Sequence, residues 1–250
     1  MSQLETPPLS RAQPLRYTPP MSIWTRISDA LAALATGEGL GILLDRLRAS
    51  PAPERSVAFT IAVIALGAKI AKSDGLVTRD EVAAFRRVFI IPPGEEANAA
   101  RVFNLARQDV TGFDAYAAKI RAMFRPRDRE VLIDLLEGLF YVALADGHYH
   151  MRENDFLFEV SRIFGLEERC FRQLRARLVE GADRDPYDVL GVTPDATLAQ
   201  IRAVWRAAVK SSHPDTMLAR GVPPEALKLA ELRLQAINAA WDAISAKRAA

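Results

Sequence analysis

The stretch from Asp185 to Asp215, DPYDVLGVTPDATLAQIRAVWRAAVKSSHPD, determines how the C-terminal part of the chain folds. It opens with a helix start, because the Asp185 side chain can accept a hydrogen bond from a free helix amide and Pro186 fits the first helical position. Thr197 and Gln200 then have the spacing of a capping box. This spacing predicts a second helix of about 24 Å.

A third helix is predicted from about residue 225 to residue 244, with its apolar side chains on one side. Those side chains are Leu227, Leu234, Ile237, Trp241 and Ile244. The second helix has a matching apolar side, formed by Ile201, Val204, Trp205 and Ala208. The two helices are therefore expected to pack against each other in antiparallel orientation.

The tripeptide His213-Pro214-Asp215 lies between these two helices. Proline pushes the preceding residue out of the helical region, so the second helix should end there and the tripeptide should stand in a loop. In such a loop Asp215 can offer an ionised acceptor to a partner arginine.

A stripe of basic residues precedes the tripeptide on the second helix. Arg202, Arg206 and Lys210 are spaced four residues apart, and no acidic residue occurs between Thr197 and Lys210. Residues four apart lie on the same face of a helix, so the stripe can supply cations to an acidic partner surface.

This C-terminal pattern resembles the J domain of the DnaJ family. The resemblance rests on the opening DPYDVLGV, the Ile201-x-x-x-Trp205-Arg206 helix, the His-Pro-Asp tripeptide and Asn238-x-x-Trp241. It implies that His213, Pro214 and Asp215 trigger ATP hydrolysis in a DnaK-type chaperone, on which Arg202, Arg206 and Lys210 dock. The chain would then be a co-chaperone and not an enzyme.

The rest of the chain also has helical spacing and no convincing strand, which predicts an all-α protein. Helices are expected near 22–36, 40–49, 54–73, 78–91, 95–108, 112–124, 127–145, 151–164 and 167–180. The apolar run from Val57 to Ala68 is too short to cross a bilayer, which takes about 20 residues, and is expected to form a buried core helix.

An internal repeat relates two parts of this region at an offset of 72 residues. Ala71, Asp74, Gly75 and Glu81 recur as Ala143, Asp146, Gly147 and Glu153. The region resembles the TerB-like domain, and its union with a C-terminal J domain resembles the DjlA-type co-chaperones. We expect a disordered extension over 1–20, a TerB-like helical domain for targeting or regulation over 21–182, and a J domain over 183–250.

Membrane-bound members of that family carry an N-terminal spanning segment. The corresponding stretch from Trp24 to Leu47 contains five charged residues here, which predicts a soluble, cytoplasmic variant. The single cysteine, Cys170, fits a reducing compartment. Peripheral membrane contact through an amphipathic Ile23 to Leu47 is a weaker alternative. A net charge of +2 gives no global attraction to nucleic acid.

A cluster of metal-capable side chains is the remaining candidate site. Asp146, His148, His150 and Glu153 lie close in sequence, although a solvated corner between two helices is the preferred interpretation. The competing function is a stress-linked, metal-sensing TerB-like binding protein with a secondary or degenerate J module. The sequence contains no Gly-rich phosphate loop and no nucleophile elbow, so we expect no cofactor and no catalytic residue.

Overall fold

The computed structural model describes residues 23–32, 53–72, 88–91, 93–108, 112–125, 128–144, 147–179 and 185–249. These residues form helices and connecting turns and contain no strand, so the predicted all-α class is confirmed. In chain order the helices are α1 (Ile23–Ala32), α2 (Pro53–Lys72), α3 (Glu96–Gln108), α4 (Phe113–Met123), α5 (Arg129–Ala143), α6 (Met151–Ile163), α7 (Glu168–Leu178), α8 (Pro186–Leu190), α9 (Leu198–Ser211), α10 (Pro214–Arg220) and α11 (Lys228–Ala249), with a short 3₁₀ turn over Pro224–Ala226.

Helix α2 lies at the centre of the N-terminal part. Its side chains from Phe59 to Ala68 are almost all buried, because α1, α3, α4 and α5 pack around it. A helix that is apolar on all sides is typical of a protein core. The prediction of a buried core helix over Val57 to Ala68 is therefore confirmed. Its buried Thr60 hydroxyl donates to the Ser56 carbonyl at 3.0 Å, so this polar group is satisfied.

Most of the predicted N-terminal helices agree with α2 to α7 within a few residues. The predicted helix over 40–49, nearly all of the one over 78–91, the extension over 1–20 and the Asp74-Gly75 corner lie outside the described residues. At the second copy of the repeat, Gly147 has a φ of 87°, which is the left-handed conformation that glycine adopts readily at a tight corner.

Helices α8 and α9 begin at the caps that the sequence predicted. The Tyr187 amide donates to Asp185 Oδ1 at 2.9 Å, and Pro186 occupies the first helical position. At α9 the Gln200 amide donates to Thr197 Oγ1 at 3.3 Å, while the Thr197 amide donates to Gln200 Oε1 at 2.8 Å. These reciprocal bonds form the capping box.

The C-terminal helices contribute to two different cores. One core is their own and is formed by Tyr187, Val189, Leu190, Ile201, Ile237, Ala240 and Ile244. The other is continuous with the core of the N-terminal helices and includes Met217, Val222, Ala226, Leu229 and Ala230. Residues between the end of α9 and the first turns of α11 therefore pack against the N-terminal part.

Two local predictions in the C-terminal part are wrong. The His-Pro-Asp tripeptide does not lie wholly in a loop, because Pro214 and Asp215 begin α10 and only His213 precedes it. Proline lacks the amide that the first helical position leaves unbonded, so it can start a helix as well as end one. Val204, expected on the buried side of α9, is 38 % exposed, and Val209 packs on the core instead.

Candidate functional site

The tripeptide stands at the N-terminus of α10. His213 is the N-cap, with an extended backbone, and its Nδ1 accepts a hydrogen bond from the Asp215 amide at 3.2 Å. An imidazole nitrogen that accepts carries no proton, so Nε2 carries the hydrogen of the neutral ring. The side chains of His213 and Asp215 are 61 % and 87 % exposed. Both are therefore presented to solvent from a short helix start.

The predicted basic stripe is exposed along α9. Arg202, Arg206 and Lys210 are all at the surface. The carbonyl of Lys210 accepts a hydrogen bond from Thr216 Oγ1 at 3.1 Å, so the last member of the stripe adjoins the tripeptide. Arg202 lies about 12 Å further along the same helix, since each residue rises by about 1.5 Å.

A shallow groove of about 470 Å³ runs along the same face of α9. It is lined by Leu198, Ala199, Arg202, Ala203 and Arg206. A surface that mixes exposed apolar side chains with arginine is typical of a contact with another protein. Its cations were predicted from the sequence, whereas its apolar part, which includes Leu198 and Ala203, was not.

Two tryptophans hold α9 against α11. The Trp205 ring stacks on the Trp241 ring with centroids 5.1 Å apart, and the Trp205 indole N–H donates to Asn238 Oδ1 at 3.0 Å. The Arg202 guanidinium lies 5.6 Å from the Trp241 ring centroid, within reach of a cation–π interaction. These contacts fix the helix that carries the basic stripe.

A buried charge cluster, formed by Asp134, Glu137, Arg220 and Arg233, joins α5 to the C-terminal helices. Arg233 donates from Nη2 to Asp134 Oδ1 and from Nε to Glu137 Oε2, both at 2.6 Å. Arg220 Nη2 lies 3.0 Å from Asp134 Oδ2. The cluster was not predicted from the sequence, although Asp134 and Glu137, three residues apart in the apolar part of α5, were a visible signal.

Burial and the neighbouring charges act on the cluster in opposite directions. Burial disfavours the charged form of Arg233, but the adjacent Glu137 and Asp134 carboxylates outweigh it and raise the pKa of the guanidinium. Burial raises the pKa of Asp134, while Arg233 and Arg220 act in the opposite direction. Neither acid side chain has access to water, so each depends on the arginines for its hydrogen bonds.

A second set of contacts links α7 to α8. The Arg169 guanidinium donates to the Gly191 carbonyl at 2.6 Å, and the buried Arg177 donates to the Val189 carbonyl at 3.3 Å. Gly191 ends α8 with a φ of 68°, and a Cβ at this position would lie only 2.7 Å from the Gln173 side chain. The left-handed backbone therefore favours glycine, and a larger residue would also displace the Gln173 side chain.

Of the four metal-capable side chains, Glu153 caps a helix and the two histidines lie near each other. The His150 amide donates to Glu153 Oε2 at 2.8 Å, so this carboxylate caps α6. The rings of His148 and His150 have centroids 6.1 Å apart. Asp146 lies outside the described residues, and among the described ones no three or more His, Cys, Asp or Glu side chains form a group that could hold a metal ion.

Comparisons with known proteins agree with this arrangement. A family model described as tellurite resistance protein TerB matches residues 60–176, and a DnaJ domain model matches residues 185–250. Curated relatives carry the description co-chaperone protein DjlA. The one from Photobacterium profundum is 29 % identical over 76 % of this chain and 78 % of its own length. The one from Escherichia coli K12 is 22 % identical over 91 % and 99 %.

A relative from Coxiella burnetii with the same description is 29 % identical over 79 % of this chain and 80 % of its own length. No solved structure matches the chain. The chain contains a TerB domain followed by a J domain, in which the His-Pro-Asp tripeptide lies between two helices. It is therefore a J-domain protein. More narrowly, it belongs to the DjlA-type co-chaperones.

This relationship overturns the prediction of a cytoplasmic protein. DjlA relatives are membrane-anchored co-chaperones. The charges between Trp24 and Leu47 argue only against a span at that stretch and do not determine where the chain resides, which is why the prediction was wrong. In the part of the chain that the structure describes, no helix combines the length and the hydropathy needed to cross a membrane.

Proposed function

We propose that the chain stimulates ATP hydrolysis by a DnaK-type chaperone through His213, Pro214 and Asp215. The observation that carries this proposal is the exposure of His213 and Asp215 at the start of α10, beside the end of the basic stripe. An exposed imidazole whose Nδ1 accepts the Asp215 amide, and an exposed carboxylate beside it, contribute little to the core. Their surface is free to recognise another protein.

The charges suggest how the partner is engaged. An ionised Asp215 can accept paired hydrogen bonds from a partner arginine. Arg202, Arg206 and Lys210 provide three cations on one helix face, which would attract an acidic surface and orient the encounter. The apolar groove along α9 would then add contact area between the cations.

This role also accounts for the proposed division of the chain into domains. ATP is hydrolysed in the partner, so the chain itself needs no catalytic residue or cofactor. The proposed division is an extension over 1–20, a TerB-like domain for targeting or regulation over 21–182 and a J domain over 183–250. The matches to residues 60–176 and 185–250 support it. Nucleic acid is not among the expected partners, since the net charge is only +2.

The test is single-turnover ATP hydrolysis by the cognate DnaK, measured with and without the full chain. We expect acceleration by the parent and its loss in His213→Gln and Asp215→Asn, because each change removes a recognition group. His148→Gln is the matched control, since it makes the same substitution at an exposed histidine outside the C-terminal helices. A parent chain without effect, or a His213→Gln variant as active as the parent, would refute the proposal.

A further inference from the structure

Helix α10 carries Pro214 and Asp215 and has seven residues. Isolated helices of fewer than about 12 residues are marginal in water, so α10 depends on tertiary contacts for its order. At its start, Thr216 Oγ1 donates to the Lys210 carbonyl and connects it to α9. This hydrogen bond and the one from the His213 amide to the same carbonyl hold one end of α10, and the remaining contacts must hold the rest.

Those remaining contacts come from the N-terminal helices. Met217 is fully buried in the core that surrounds α2 and α5. The Ser56 hydroxyl on α2 donates to the Gly221 carbonyl at 3.1 Å, at the left-handed residue that ends α10. Arg220, with only 16 % of its side chain exposed, reaches Asp134 at 3.0 Å and Glu130 at 3.8 Å on α5.

Asp134 connects α10 to α11 as well. Its Oδ1 accepts hydrogen bonds from both guanidiniums, from Arg233 at 2.6 Å and from Arg220 at 3.3 Å. Glu137, one turn further along α5, takes a second bond from Arg233. One face of α5 therefore contacts both α10 and α11. These contacts fix the position of one helix relative to the other.

This attachment leaves the proposed partner surface uncovered. The side chains that enter the shared core and the buried charge cluster are Met217, Arg220, Leu229 and Arg233, whereas His213, Asp215 and the basic stripe remain exposed. The contact with α5 therefore holds the segment that carries the tripeptide without covering His213 or Asp215.

We propose that α5 of the N-terminal helical part positions the His-Pro-Asp segment, with Asp134 and Glu137 as positioning residues that act through Arg220 and Arg233. This inference rests on the proposed function, because it concerns how the same tripeptide is held for its partner. The N-terminal part is then a structural component of the active segment in addition to any targeting role.

The experiment uses the full chain with Arg220→Met, which keeps the length and apolar stem of the side chain and removes its charge. Two quantities are measured at a temperature where circular dichroism shows the variant folded. One is the concentration that gives half-maximal stimulation of DnaK, and the other is hydrogen exchange of the α10 amides. We expect the half-maximal concentration to rise about fivefold or more, and exchange in 214–220 to accelerate.

Two further variants separate positioning from general stability. Arg220→Lys keeps the charge and should restore most of the stimulation, while Arg162→Met removes an exposed arginine that is paired with Glu159 on its own helix and should change neither quantity. If Arg220→Met does not fold, Asp134→Asn provides the same test with an isosteric side chain. A folded variant that stimulates as well as the parent would overturn the inference.

Failure of the proposed function gives a different result. The parent would then not stimulate DnaK at all, and hydrogen exchange alone would decide the inference. Unchanged exchange over 214–220 in Arg220→Met would overturn positioning by α5, whereas faster exchange confined to that segment would support it.

Discussion

His213 combines two roles that a substitution can separate. Its Nδ1 accepts the Asp215 amide and so caps α10, while most of the ring stands in solvent. Loss of an N-cap acceptor costs about 1 kcal/mol, so His213→Gln could lower stability as well as recognition. A variant that keeps the cap and removes the imidazole isolates the second role.

His213→Asn is that variant, because asparagine is among the best N-cap residues. We expect its free energy of unfolding to stay within about 0.5 kcal/mol of the parent, since the position is exposed and the cap is retained. Stimulation of DnaK should nevertheless be lost. Chemical denaturation and single-turnover ATPase assays on the same preparation measure the two effects. Full stimulation by His213→Asn would show that the cap alone matters.

Local rules for helix caps predicted two of the three caps that begin α8, α9 and α10. Asp185 and Thr197 were identified as caps because a capping side chain and its amide lie two or three residues apart. The cap at His213 has the same local geometry and was missed. Pro214 was interpreted only as a helix end, whereas Pro186 had been interpreted correctly as a first helical residue.

Helix α9 carries the basic stripe and also the apolar side chains that pack against the C-terminal core. Ile201, Trp205 and Ala208 face the C-terminal core, as their spacing predicted. Val204 and Val209 flank this stripe on either side, and helical spacing alone does not distinguish between them. The direction from which α11 approaches decides that Val209 packs on the core, and that direction depends on contacts distant in sequence.

Arg206→Ala should weaken the complex with DnaK in a salt-dependent way. Exposed charges are screened over about 10 Å at 0.1 M ionic strength, so the deficit should be largest in low salt and shrink as salt rises. Association rates measured across a salt series test this, because steering acts mainly on the rate of encounter. The fold should be unaffected, since Arg206 is exposed.

Lys247→Ala is the matched control for this series. It removes one exposed positive charge from α11, outside the basic stripe. If both variants slow association equally, the effect belongs to net charge and not to the stripe. A deficit in Arg206→Ala that is independent of salt would instead indicate a direct contact in the bound complex.

The domain boundary that the sequence predicts does not coincide with the boundary between the two hydrophobic cores. The composition around Gly181-Ala182-Asp183-Arg184 predicts a linker, yet α10 and the start of α11 share a core with α2 and α5. The partners in the buried charge cluster are 86 to 99 residues apart. No local pattern pairs such residues, so helix positions could be predicted and this docking could not.

This packing makes a specific prediction for limited proteolysis. Trypsin should cleave after Arg184, in the predicted linker, but the two fragments should stay together on size-exclusion chromatography under native conditions. The reason is that Met217, Leu229 and Arg233 are buried against the N-terminal part. Denaturing electrophoresis of the same fractions would confirm that the chain had been cut.

Arg233→Met should release the fragments after the same cleavage. Removing one partner from a buried ion pair costs about 3–5 kcal/mol, because the buried Asp134 and Glu137 side chains would lose their main hydrogen-bond donor. Once the linker is cut, no covalent tether offsets that loss. Arg162→Met, which removes an exposed pair, should leave the fragments associated. If fragments of the parent separated on cleavage, the C-terminal helices would be independent of α5, and their shared core would not persist in solution.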